Sequence, residues 1–177
     1  MQMDLFEFKG VNSFGGELLN GRRKCARPLA TKAPVHLVLR AKQSTLRRHQ
    51  RAVESELSRF ARRFGVTIYR QAVCTNHIHL VIRLHSRLLY RQFVRAFCGS
   101  LGLKLNITWL LRPFTRILKW GRDFQTACLY VLQNFMEANG ERAYKPRVKK
   151  SGRRTKGTGR TGHCRPSAVY EDTIAHV

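Results

Sequence analysis

Acidic residues are scarce in this sequence. The 177-residue chain holds 10 Asp and Glu against 34 Lys and Arg, a formal net charge of +24, and no acidic residue lies between Leu57 and Arg122. That shortage argues against a metal-dependent hydrolase built on carboxylates. A field so one-sided calls for a polyanionic partner to offset its self-repulsion. Nucleic acid is the commonest, because Lys and Arg release counterions from phosphates; anionic membranes and ribosomal RNA meet the same need. Long apolar runs are also missing, so no stretch predicts a membrane span. Residues 1–16 include Asp4 and Glu7 and no apolar run, which excludes a signal-peptide reading. Paired cysteines are absent as well. Cys25, Cys74, Cys98, Cys128 and Cys164 are odd in number, irregular in spacing and without a C-x-x-C pair. They predict reduced, cytosolic thiols, not a disulfide framework, and with the charge they fit a cytoplasmic, nucleoid-associated protein.

What is present is enough for one packed domain. Hydrophobic residues make up 43% of the chain, which excludes wholesale disorder. Residues 1–32 read as a basic, loop-rich arm, residues 33–144 as the domain, and residues 145–177 as a basic tail. From 145 to 165 that tail is Lys, Arg, Gly and Thr with almost nothing apolar, so it is expected to stay flexible and track phosphates. Steep salt dependence of binding follows from that role.

Within the domain, Pro34 to Arg40 alternates as a strand does. Ser44 is a candidate cap for a helix carrying Leu46, His49, Val53, Leu57, Phe60 and Phe64, with Gly65 as its stop. A hairpin is predicted from Val66–Gln71 and Val73–Leu84. Ser86 opens a second helix with Leu89, Phe93, Phe97 and Leu101 at steps of four, its end blurred by Gly99 and Gly102. A strand over Phe114 to Trp120 precedes a third helix, for which Asp123 is the candidate cap. Phe124, Ala127, Cys128, Val131 and Phe135 share that helix's apolar face, and Asn139-Gly140 ends it. The order strand, helix, strand, strand, helix, strand, helix predicts an α+β fold: an antiparallel sheet with helices on one face, leaving the other face for a ligand.

The chemistry concentrates in Cys74-Thr75-Asn76-His77-Ile78-His79-Leu80-Val81-Ile82. Strand alternation puts Ile78, Leu80, Ile82 and Leu84 on one face and His77 and His79 on the other. Two imidazoles side by side on an open sheet face can hold one metal, although a histidine on a strand is more often structural. In an unbroken strand Cys74 falls on the opposite face, which disfavours a Cys74–His77–His79 zinc site. On the last helix Tyr130 and Asn134 lie four apart and share a face, with Gln133 close by. A tyrosine beside an oxygen ligand, on a helix able to lie across the histidines, completes a nuclease site, with the metal polarising a phosphoryl oxygen and the phenolate attacking phosphorus.

His77-Ile78-His79 resembles the His-hydrophobic-His signature of HUH endonucleases. The surroundings resemble single-tyrosine transposases of small insertion sequences, above all the REP-associated tyrosine transposases. Tyr130-Val-Leu-Gln-Asn134-Phe-Met-Glu137-Ala138-Asn139-Gly140 follows the family's Tyr-x-x-x-Asn helix. Phe114-Thr115-Arg116-Ile117-Leu118 and Pro34 to Arg40 resemble its strands, so the likeness spans about Ala33 to Gly140. It implies an RRM-like (ferredoxin-like) sheet and Mg²⁺ or Mn²⁺ held by His77, His79 and Asn134, with Gln133 as the alternative third ligand. It also implies Tyr130 as the nucleophile, giving a 5′-phosphotyrosine link and a free 3′-OH. Phe135 in place of the usual Pro, and Cys74-Thr75-Asn76 in place of the frequent Pro-Asp, depart from the pattern without removing a ligand. They leave open a drifted or domesticated copy that binds DNA or RNA without chemistry.

Single-stranded or hairpin DNA is the implied partner, with monomer and homodimer both open. Arg83, Arg87, Arg91, Arg95 and Lys104, then Arg112, Arg116, Lys119 and Arg122, are candidate phosphate contacts. Trp109, Trp120 and Phe114 are candidates to stack on unpaired bases, with core packing the competing role. A plain RNA-binding sheet accounts for the charge but not for two histidines facing Tyr130 and Asn134. A replication initiator more often carries an added helicase domain, for which this chain has no room.

Overall fold

A computed structural model describes residues 13–16 and 26–143. The basic tail, most of the N-terminal arm, Cys25 and Cys164 lie outside the described residues.

The central sheet is antiparallel and five-stranded. Its strands are β1 (Ser13–Phe14), β2 (Val35–Arg40), β3 (Thr67–Val73), β4 (His77–Arg83) and β5 (Phe114–Ile117), in the order β1-β5-β2-β4-β3. Among the described residues three α-helices accompany the sheet: α1 (Gln50–Arg63), entered through a 3-10 turn at Leu46–His49, α2 (Arg87–Leu105) and α3 (Arg122–Asn139). The predicted order of elements therefore holds. The sequence reading lacked β1, a two-residue piece of the arm that pairs with β5.

Alternation decides where the core sits. Val35, Leu37 and Leu39 of β2 meet Ile78, Leu80 and Ile82 of β4 in register, and all six are buried. Val53, Leu57 and Phe60 of α1 and Phe93, Phe97 and Leu101 of α2 cover that face. Burial of each such side chain is worth ~1.5–3 kcal/mol before chain entropy is subtracted. The expected placement of helices on one face thus holds for α1 and α2. A buried carboxylate braces them: Glu56 of α1 accepts from Ser100 at 2.5 Å, and from Arg59 and from Lys104 of α2 at 2.6 Å each. Hydrogen bonds from Lys104 and Ser100, with the Arg59 charge beside them, outweigh burial and hold this carboxyl down to about 2. Lys104, a candidate phosphate contact in the sequence, is committed to that brace.

The third helix crosses the opposite face. Ala127 and Val131 of α3 bury against Ala72 of β3, Val81 of β4 and Leu118, flanked by Tyr69, Phe124, Cys128, Tyr130 and Phe135. Both ends of α3 are tied down. At its start Asp123 accepts from the Lys119 backbone N–H at 3.0 Å and from Arg116 at 2.6 Å. At its end Arg47 donates to the Ala138 carbonyl at 3.0 Å and to Asn139 Oδ1 at 2.5 Å. Gly140, at φ +76°, closes the helix as expected.

Several boundaries shift from the sequence reading. β3 runs on through Ala72 to Val73, and the turn is Cys74–Asn76, because the Cys74 N–H bonds back to the His77 carbonyl. Neither Ser44 nor any other side chain caps the first helix. Ser86 does cap α2, accepting from the Leu88 N–H at 3.2 Å. Gly99 and Gly102 do not stop that helix, which ends at Asn106 in the left-handed region (φ 51°). β5 stops at Ile117, short of Trp120, and α3 begins after Gly121, so Asp123 sits in its first turn and not at its cap.

Candidate active site

β4 sends His77 and His79 towards α3, which covers the face expected to be open, so both are buried, at 7% and 1% exposure. Their rings lie 4.6 Å apart, centroid to centroid, at right angles. Ala72 pairs with His79 in the β3–β4 register, so a small side chain stands beside the imidazole. The Tyr130 ring of α3 meets His79 edge-on at 5.5 Å. Asn134, one turn on and 5% exposed, donates from Nδ2 to the Tyr130 carbonyl at 2.7 Å, which leaves its Oδ1 as the atom suited to a cation. Gln133 is turned along the helix, donating to Glu137 at 2.6 Å.

Each histidine of the pair has a fixing partner at Nδ1. His77 Nδ1 lies 2.7 Å from Asn76 Oδ1; an amide oxygen only accepts, so the nitrogen donates and the ring's lone pair sits on Nε2. His79 Nδ1 lies 3.2 Å from His36 Nε2, and these two rings stack at 5.3 Å. His36 pairs across β2–β4 with Val81, so it reaches His79 along the diagonal of the ladder. Although His36 keeps part of its surface open, the protein packed around its ring, helped by the Arg116 charge, pushes it down to about 4. It is therefore neutral at ordinary pH, and a neutral ring can accept from His79 Nδ1–H. That arrangement presents His79, like His77, through Nε2, the usual way a second residue orients a metal-ligating imidazole.

The structure also brings Cys74 to the pair. The Cys74 sulfur and the His77 and His79 ligand atoms all lie within 4.8 Å of one another, and all three residues are buried. Strand parity misplaced Cys74: it belongs to the β3–β4 turn, where alternation does not apply. The buried donors of Cys74, His77 and His79, two imidazoles and a thiol within reach of one another, fit a divalent cation. No disulfide joins Cys74, Cys98 and Cys128. His36 was the other functional candidate missed. Its only sequence signal is that the even-numbered positions of β2 face the same way as His77 and His79.

The proposed phosphate contacts divide into two sets. Arg116, Lys119 and Arg122 lie where β5 leads into α3, and Arg116 pairs with His36 across the β2–β5 ladder. Arg87, Arg91 and Arg95 are exposed on α2, behind the sheet. Arg83 ends β4 half-buried, and Arg112 is exposed just before β5. Of the aromatics, Phe114 is buried and Trp109 half-buried with its Nε1 donating to the Cys98 carbonyl, whereas Trp120 is 50% exposed. No helix among the described residues is long and apolar enough to cross a membrane.

Buried paired histidines on a sheet, a tyrosine helix laid over them and a strongly basic chain define the class of HUH-type nucleases. The family comparison agrees and goes further: the family described as IS200-like transposases matches residues 30–126. That is more than half the chain, and the chain belongs to this family of single-tyrosine HUH transposases. The matched stretch contains both histidines and stops short of Tyr130. Among solved structures, a REP-associated tyrosine transposase bound to a REP hairpin aligns over 63% of this chain and 72% of its own, at 17% identity and a TM-score of 0.52. A structure assigned as a transposase from Deinococcus radiodurans R1 aligns over 63% of this chain and 97% of its own, at 15% identity and a TM-score of 0.40. No curated protein matches the sequence.

Proposed function

We propose that the chain cuts and rejoins single-stranded DNA, with Tyr130 as nucleophile and a divalent cation, Mg²⁺ or Mn²⁺, held by His77, His79 and Asn134. The contact between the Tyr130 ring and His79, 5.5 Å centroid to centroid, carries the reading, because it sets the only tyrosine of α3 against the metal-ligand pair. The cation, when bound, polarises a phosphoryl oxygen. The Tyr130 oxygen loses its proton and forms the new bond to phosphorus as the bond to the 3′ oxygen breaks. That oxygen leaves as a 3′-OH, the 5′ end stays on Tyr130, and attack by a second 3′-OH reverses the step and joins strands. Asn134 suits the third ligand position better than Gln133, whose amide is engaged with Glu137.

Discounting β1, the β-α-β-β-α-β order supports the RRM-like reading of the sheet. Hairpin DNA as substrate is supported by the likeness to the REP-associated enzyme, which is bound to a REP hairpin. The test is a library of labelled single-stranded hairpins incubated with the protein and Mn²⁺, then run on a denaturing gel. A covalent protein–DNA band that disappears in Tyr130→Phe and His77→Ala is expected. Tight binding with no covalent band in either Mg²⁺ or Mn²⁺ would instead define a DNA-binding protein on the same fold.

A further inference from the structure

Three aromatic rings stand together beyond the histidines, where α3 begins. Trp120 lies 5.1 Å from Phe124 at a 55° tilt and 5.9 Å edge-on from Tyr69, and Tyr69 lies 5.2 Å edge-on from Phe124. Two local features of the chain build this cluster. A register shift between Ile68 and Arg70 brings Tyr69 onto the α3 side of the sheet, where it packs with Phe124. Gly121, at φ +88°, turns the chain sharply after β5, so that Trp120 lies against the first turn of α3.

The cluster is not a closed piece of core. Trp120 is 50% exposed, the most open aromatic among the described residues. Its Nε1 donates to the Lys32 carbonyl at 2.9 Å, which fixes the edge of the indole while half of the residue stays open to solvent. The side chains around it are cationic: Lys119 precedes it, Arg122 follows it, and Lys32, Arg70, Lys119 and Arg122 are all exposed. Phe124 and Tyr130 lie six residues apart on one helix, about 9 Å along its axis. The cluster and the tyrosine therefore flank the same stretch of sheet.

We propose that Trp120, backed by Tyr69 and Phe124, is a stacking platform for an unpaired base of single-stranded DNA next to the strand break, with Lys119, Arg122 and Lys32 holding the adjoining phosphates. This rests on the reading that Tyr130 acts on DNA. An exposed indole ringed by cations offers a π-face to a base and charge to its backbone, and it is tolerant of sequence. Duplex DNA buries its base faces in the stack and offers such a surface only its grooves and phosphates. The platform thus selects for unpaired nucleotides and places them a short run from Tyr130.

The chain has two tryptophans, so Trp109→Phe leaves Trp120 as the only one. Titration of that full-length variant with an oligothymidylate is expected to quench its emission. By fluorescence anisotropy, Trp120→Ala is expected to weaken oligothymidylate binding about 5- to 150-fold, with Trp120→Phe keeping most of the affinity. Duplex DNA should bind Trp120→Ala and wild type alike, which separates stacking from lost folding or charge. Equal oligothymidylate affinity in wild type and Trp120→Ala, or an equal loss for duplex DNA, overturns the proposal. A normal covalent band with no effect of Trp120→Ala removes the platform and leaves the strand-transfer reading standing. The reverse pattern does the opposite.

Discussion

Glu56→Gln isolates the brace behind the active sheet. Glu56 is the only buried acid among the described residues, and it takes hydrogen bonds from Arg59, Ser100 and Lys104. A carboxyl held from 4.5 down to about 2 corresponds to ~3 kcal/mol of preference for the charged form if nothing screened it. Both cations are about half exposed, at 54% and 55%, so water screens much of the attraction, and about 1–2 kcal/mol at neutral pH is the expected share. The sign follows from the depressed value. The stabilisation is present above about 4.5 and drains away as the pH falls towards 2, where the wild-type carboxyl is itself half protonated. Glu56→Gln should therefore unfold about 1–2 kcal/mol more easily than wild type at pH 7, and the gap should close near pH 2. Urea titrations followed by far-UV circular dichroism at several pH values measure this. A gap of the same size at pH 7 and pH 2 would refute an electrostatic brace and point to lost shape alone.

Other expectations concern the site itself. Val131→Ala removes buried methyls from the small cluster under α3 and should cost roughly 1–3 kcal/mol; hydrogen exchange should rise in α3 before it rises in β2 and β4, and the yield of covalent adduct should fall with it. His36→Ala removes the partner of His79 Nδ1 and should weaken Mn²⁺ binding ~10- to 100-fold, read by electron paramagnetic resonance titration, with the far-UV spectrum unchanged. Cys74→Ser should lower Zn²⁺ affinity while leaving Mn²⁺ affinity nearly as it was, because a thiolate favours the softer ion; competition against a chromophoric chelator separates the two.

The sequence carried the elements and the histidine pair because both depend on local periodicity. Alternation over Val35–Arg40 and His77–Arg83 predicts which side chains face α1 and α2, and Val35, Leu37, Leu39, Ile78, Leu80 and Ile82 do so, while α3 covers the opposite face as well. It failed where alternation stops. Alternation puts the hairpin break at Ala72, two residues before the observed turn, and so puts Cys74 on the wrong face. His36 was missed because its contact with His79 spans 43 residues and depends on the β2–β4 register, which no local pattern encodes. Asp123 looked like a cap by residue type, yet its carboxylate bridges Arg116 and the Lys119 backbone to hold the α3 entry. β1 was invisible because two residues carry no period.

The two apolar clusters on either side of β4 are very unequal. The one behind the sheet takes in most of the buried residues of three strands and two helices, whereas the one under α3 holds five buried residues. On the proposed reading of Tyr130, loss of activity is therefore expected to precede unfolding. Damage confined to the α3 side would abolish the placement of Tyr130 while leaving a folded, strongly basic sheet that still holds DNA. Such a protein would occupy the same sites as the intact enzyme and block them, so a silent copy could act as a competitor of an active one.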